Sequence, residues 1–228
     1  MRPFKDRSQA GELLAERLVE LGYDQQPNLL VFGLPRGGVP VAFQVARRLG
    51  APLEVWVVRK LGTPGHEELA MGAIASGGGR VLNQEIVDSL QISAQAIAAV
   101  EQQELAELER RERLYRGQRP FPDLSGKTVL LVDDGLATGA TMKAAIAAAR
   151  QKKPARLVVA VPVAPPDTVA EIQALVDEVV CLITPPFFQA VGLWYEHFPQ
   201  ISDEEVLALL QAARPSGASA RPAPFDAG

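Results

Sequence analysis

Two adjacent carboxylates, Asp133 and Asp134, stand between a run of apolar residues and a loop of glycines and hydroxyls, in the stretch TVLLVDDGLATGAT over residues 128–141. Ionised carboxylates only accept hydrogen bonds, so the pair suits a vicinal diol or, through water or ribose, a hydrated metal ion. Behind the pair, Gly135 and Gly139 let the backbone wrap closely around a ligand, and Thr138 and Thr141 add hydroxyl donors. The alanine-rich segment 142–150 that follows is a strong helix former. Its N-terminus presents unpaired N–H groups and the positive end of a dipole, which favour an anion. A phosphate at the loop and a diol at the carboxylates together describe a ribose 5-phosphate. The elements that must hold this arrangement are a strand over 128–132, buried on both faces as in a parallel sheet, and the helix after the loop.

A second loop of the same kind lies nearer the start. Residues 29–32 read as a buried strand, residues 33–40 as a glycine-rich turn containing Arg36, Gly37 and Gly38, and residues 41–49 as a helix. Arginine is a bidentate phosphate donor, and the paired glycines permit close backbone approach. A further strand is expected over 52–58, ending in Arg59 and Lys60, two cations at the carboxyl end of a strand where open α/β sheets bind ligands.

The segment 131–141 resembles the phosphoribosyl pyrophosphate (PRPP) binding motif of the type I phosphoribosyltransferases: apolar residues, two acids, two spacers, then Ala-Thr-Gly-x-Thr. Ala140 stands where many members carry a second glycine. The resemblance implies a Rossmann-like α/β fold, an open and mainly parallel twisted sheet flanked by helices, with a small hood. It implies that Asp133 and Asp134 hold the ribose hydroxyls and that Gly135, Leu136, Ala137, Thr138, Gly139, Ala140 and Thr141 surround the 5-phosphate. It further implies that Arg36, Gly37, Gly38 and Lys60 bind pyrophosphate, the first loop often doing so through a strained or cis peptide. In orotate-type relatives an Arg-Lys pair leads into a mobile catalytic loop, which here would be 61–69 with His66 in it. Purine-specific relatives end in an aromatic hood over the base. Residues 185–198 hold six aromatic or imidazole side chains, and Phe187, Phe188, Trp194 and Tyr195 are the matching candidates for stacking on a planar base. In 6-oxopurine relatives a basic side chain follows the strand after the PRPP helix; residues 162–165, Pro-Val-Ala-Pro, supply none.

The implied reaction is transfer of 5-phosphoribosyl from PRPP to a nucleobase-like acceptor, with Mg²⁺ and Arg36, Lys60, Asp133, Asp134 and His66 as candidate catalytic groups. The alternative is a PRPP- or nucleotide-binding regulator on the same fold. A homodimer is expected from the same resemblance.

The rest of the chain sets bounds. It has 228 residues, 47% of them hydrophobic, and a formal net charge of −4, which does not indicate a nucleic-acid or anionic-membrane surface. No apolar run reaches the ~18 residues of a membrane span, and the N-terminus has no signal-peptide core, so a cytoplasmic protein is expected. The single cysteine, Cys181, precludes an intrachain disulfide and falls in an apolar run, which marks a core position. Residues 1–213 are expected to form one domain: a mobile loop and hairpin over 61–82, an inserted, heavily charged helix over 93–116, further alternating strands and helices, and a hood segment over 185–213. Residues 214–228, rich in Pro, Gly, Ala and Ser, read as a disordered tail.

Overall fold

The computed structural model describes residues 4–214, so the tail expected over 214–228 lies, apart from its first residue, outside the described residues. Five parallel strands form the central sheet in the order β2-β1-β6-β7-β8. These are β1 (Leu29–Gly33), β2 (Leu53–Val55), β6 (Thr128–Val132), β7 (Arg156–Val163) and β8 (Glu178–Ile183). Every residue of β1 and β6 is buried, as their unbroken apolar runs require of strands covered on both faces. Helices α1 (Arg7–Glu20) and α2 (Gly38–Leu49) cover one face. Helices α5 (Ala140–Gln151) and α6 (Pro166–Gln173) cover the other. After β1 the chain turns outward to β2, whereas β6 returns on the inner side of β1. The loops leaving β1 and β6 therefore diverge, and the crevice between them is the ligand position of an open α/β sheet.

A second, antiparallel sheet holds β3 (Val58–Thr63), β4 (His66–Ala75) and β5 (Gly79–Leu82). It corrects two expectations. The strand expected over 52–58 is two strands, because the backbone changes partners at Trp56 and Val57. The Trp56 N–H donates to Gly33 O of the main sheet (3.0 Å), while Val57 N–H donates to Ser76 Oγ (3.0 Å) and Val57 O accepts from Ser76 N–H (2.8 Å). Arg59 and Lys60 consequently lie on an antiparallel ribbon rather than at the end of a parallel strand. The loop expected over 61–69 is instead the arm of a β-hairpin, tightly turned at Pro64 and Gly65, with Gly65 at φ +80°. Buried Leu61 and Thr63 alternate along it, which is the pattern that keeps a strand seated.

After the short α3 (Gln84–Ser89) comes the inserted helix α4 (Ala94–Arg116), capped by Ser93, whose hydroxyl accepts from Ala96 N–H (3.1 Å). It packs on the body through Ile97, Leu108 and Tyr115, each buried, although most of its surface is charged. The last helix, α7 (Asp203–Ala212), opens with a capping box of Ser202 and Glu205. No helix among the described residues is long and apolar enough to cross a membrane. Cys181 is half-buried, its thiol pushed up to about 11 by burial, which disfavours the nucleophilic thiolate.

Candidate active site

The loop after β6 is held open by packing from below. Its Leu136 N–H donates to Val163 O (2.9 Å), and the Leu136 side chain is buried in the core. Leu136, implied to bind phosphate, is therefore an anchor of the loop: its N–H is already engaged and its side chain faces inward. Thr168, at the start of α6, donates its hydroxyl to Ala137 O (2.7 Å) and fixes the other side of the loop. Gly139 ends the loop at φ +70°, where a Cβ would sit 2.9 Å from Thr168 Cγ2. It is the N-cap of α5 and offers no capping side chain; the Ala140 N–H donates to Thr138 Oγ1 (3.4 Å), and the N–H groups after it in the first turn have no partner within the helix. A cavity of about 220 Å³ opens over this turn. Lys60, Asp133, residues 135–142 and Val191 line it, which brings the phosphate loop, one carboxylate and the ribbon lysine around one space.

The acidic pair is set by close packing of the two divergent loops. A Cβ on Gly37 would overlap the Asp134 carboxylate, and one on Gly38 would lie 2.7 Å from Val132 O. Both glycines are thus required to let the Arg36 loop lie against the carboxylates. Asp133 Oδ1 accepts the Asp134 N–H (2.9 Å). Burial, with the neighbouring Asp134 charge added, pushes the Asp133 carboxyl well above the usual carboxylate range. Asp134 is also raised by burial, but less freely, because Arg7 stabilises its ionised form. The Pro35–Arg36 peptide is cis. The Arg36 guanidinium is half-exposed, with Nη1 4.0 Å from Asp203 Oδ1 at the start of α7.

Arg7 is the residue that sequence patterning missed. It is the first residue of α1, 127 positions from its partner, and no local motif contains it. Its Nε donates to Asp134 Oδ2 (2.8 Å), its Nη1 donates to Pro199 O (2.7 Å), and its guanidinium lies 3.7 Å over the Phe198 ring. The side chain is 9% exposed. A buried arginine so engaged ties the acidic pair to the C-terminal segment.

That segment departs from the expected base clamp. Tyr195 is buried between Phe4 and Phe198, with ring centroids 5.4 and 4.9 Å away, and its hydroxyl donates to Asp134 O (2.6 Å). Its faces are occupied, so it pins the backbone of the acidic pair and is not free to stack on a base. Trp194 and Phe188 are half-buried against the same cluster, while Phe187 is 89% exposed. None of these four lines the cavity over the phosphate loop, whereas Val191, between them, does. His66 is exposed at the hairpin tip, paired with Thr63, and does not line that cavity.

The phosphoribosyl transferase domain family model matches residues 7–196, a span that contains both loops, the ribbon and the start of the hood segment. The chain belongs to the phosphoribosyl transferase family. A protein of Mycobacterium tuberculosis H37Rv, whose name reads "Putative phosphoribosyl transferase", is 51% identical over 214 residues. That alignment takes in 93% of this chain and 47% of the relative, and the CDC 1551 strain counterpart gives the same figures. The chain thus spans about half the length of the curated relatives it matches. The crystal structure of the protein TT1426 from Thermus thermophilus superposes with a TM-score of 0.81 at 44% identity, covering 94% of this chain and all of that one. The fold is the type I phosphoribosyltransferase fold, and the phosphoribosyl transferase pattern accounts for the order strand, acidic pair, open helix turn.

Proposed function

We propose that this chain transfers a 5-phosphoribosyl group from PRPP to a nucleobase-like acceptor with release of pyrophosphate. One observation carries the reading: the Asp133 carboxylate, the first turn of α5 and Lys60 meet around one cavity, with Asp134 adjacent in the chain and paired to Arg7. In this reading the unpaired N–H groups of α5 and the hydroxyls of Thr138 and Thr141 hold the 5-phosphate. Asp133 and Asp134 accept from the ribose hydroxyls. Arg36, the Gly37–Gly38 backbone and Lys60 neutralise the leaving pyrophosphate as the C1–oxygen bond breaks and the bond from C1 to the acceptor nitrogen forms. Fixing both ends of the donor removes most of its freedom before reaction.

The donor set also fits a magnesium ion. No group of three metal-ligating side chains occurs among the described residues, and magnesium characteristically uses one or two carboxylates together with substrate phosphates and water. Asp133 and Asp134 would hold it indirectly, through water or the ribose, and it would supply charge neutralisation on pyrophosphate. The acceptor would enter beside Val191 and the exposed Phe187. Val163, which ends β7 on that side, and Ala164 after it are buried and apolar, so they offer no cation to an exocyclic oxygen.

The test is pyrophosphate release from PRPP and Mg²⁺ across a panel of purine and pyrimidine bases. Release with one base, absent in an Asp133→Asn, Asp134→Asn double variant, is the expected result. Tight PRPP binding with no release for any base would instead favour a nucleotide-binding regulator on this fold.

A further inference from the structure

The inserted helix α4 carries two glutamates on one face, Glu101 and Glu104, three residues apart. Each meets an arginine of the antiparallel ribbon. Glu104 Oε2 takes Arg59 of β3 at 2.6 Å from Nη2 and 2.7 Å from Nε, and Glu101 pairs with Arg80 of β5. The register shows why these pairs share a face. Arg59 lies opposite Ile74, and Ile74 lies opposite Arg80, so the three form one cross-strand row. Ile74 belongs to the same buried cluster as Ile97 and Leu108 of α4, which puts the row against that helix.

The next row, Lys60–Ala73–Val81, must face the other way. The bulges of the β3–β4 pairing lie beyond Leu61 and leave this alternation intact. Gly79, which lies in register with Ala75 and shares the face of Lys60, packs so closely on α5 that a Cβ would stand 2.7 Å from Ala148 Cα. The ribbon is therefore clamped between α4 and α5, and the clamp turns Lys60 toward the cavity over the first turn of α5. At its far end α4 is anchored again, by a hydrogen bond from Tyr115 Oη to Asp203.

We propose that Glu104, supported by Glu101, is a positioning residue for donor binding: α4 grips the ribbon through the Arg59 and Arg80 ion pairs and so fixes the roll that presents Lys60 to the pyrophosphate end of the donor. The inference rests on the reading of the cavity as a PRPP site. It gives the inserted helix a role that its charged, solvated surface does not announce.

The experiment is calorimetric titration of the full chain with PRPP and Mg²⁺, and separately with inorganic pyrophosphate. Four proteins are compared with wild type: Glu104→Lys, Lys60→Ala, the two combined, and Glu104→Lys with Arg59→Glu. Lys60→Ala is expected to weaken PRPP binding by roughly 30-fold, and Glu104→Lys by about 10-fold. The combined variant should bind no more weakly than Lys60→Ala alone, because the glutamate acts only through the lysine. The charge swap with Arg59→Glu should recover affinity to within about twofold. Should Glu104→Lys not fold, Glu104→Gln enters the same cycle. The inference is overturned if Glu104→Lys leaves affinity intact, if its effect is equally large without Lys60, or if Lys60→Ala itself changes nothing while wild type binds. A wild-type protein that binds neither PRPP nor pyrophosphate overturns the donor-site reading, and this inference with it.

Discussion

The donor cleft and the C-terminal hood meet at Arg7, yet they are built on different principles. The cleft is made of backbone: a strand buried on both faces, a loop whose Leu136 and Ala137 are tied down by Val163 and Thr168, and a helix whose first turn is left uncapped. The groups it presents are backbone N–H groups and short side chains that need only the local chain path. The aromatic part of the hood, residues 185–198, has no regular element beyond a single turn of 3-10 helix at Val191–Trp194. It is held by long-range side-chain contacts, chiefly Tyr195 against Phe4 and Phe198, and Arg7 against Phe198 and Pro199. The comparison shows that the loop and helix turn after β6 are assembled locally, whereas the C-terminal segment beside them depends on residues contributed from the opposite end of the chain.

The sharpest way to break that comparison is at the junction. Arg7→Gln leaves the Asp134 carboxylate buried without its cation, and removing one member of a buried pair costs about 3 to 5 kcal/mol. Thermal unfolding should show a large fall in midpoint, and the surviving folded protein should bind PRPP more weakly. An unchanged midpoint would mean that the hood is not fastened to the acidic pair through this residue.

Within the cleft the expected sign is opposite. Asp133 has its carboxyl raised by burial and by Asp134, so the folded state holds the proton more tightly than the unfolded chain. Between the ordinary aspartate range and that raised value the folded state binds more protons, and its stability falls as pH rises. Asp133→Asn should therefore stabilise the ligand-free protein at neutral pH by roughly 1 to 2 kcal/mol and flatten the dependence of the unfolding midpoint on pH over that window, while weakening PRPP binding. A variant that is less stable than wild type at pH 7 would contradict this.

Tyr195→Phe separates the two roles open to that ring. It removes one hydrogen bond to Asp134 O, which should lower stability by about 1 kcal/mol and reduce PRPP affinity a few-fold, leaving KM for the acceptor unchanged. A rise in the acceptor KM alone would restore Tyr195 to the base site. Phe187→Ala should have the smallest effect on stability, within about 0.5 kcal/mol for a surface side chain, and should raise KM for the acceptor without altering PRPP binding.

The same contrast explains what can be read from the residues themselves. The central strands, the phosphate loop and the Arg36 turn follow from apolar runs, glycines and one acidic pair that are contiguous in sequence. Arg7 is invisible to such patterning because its partner is 127 residues away and a single arginine opening a helix looks like solvated surface. The ribbon is hidden at Trp56 and Val57, where the apolar run continues without a break while the backbone changes sheets. Aromatic density marks the hood but does not show which rings face inward. Phe187 and Tyr195 have similar composition around them, and only packing against Phe4 and Phe198 distinguishes them.

The most direct test of the central claim is calorimetric titration of PRPP with Mg²⁺ into wild type and into the Asp133→Asn, Asp134→Asn double variant. The account predicts one site per chain in wild type and at least about a 100-fold loss in the variant, the equivalent of several hydrogen bonds from the ribose hydroxyls. Wild-type binding that survives the double substitution, or no binding to wild type at all, would contradict the assignment of the acidic pair to the donor ribose.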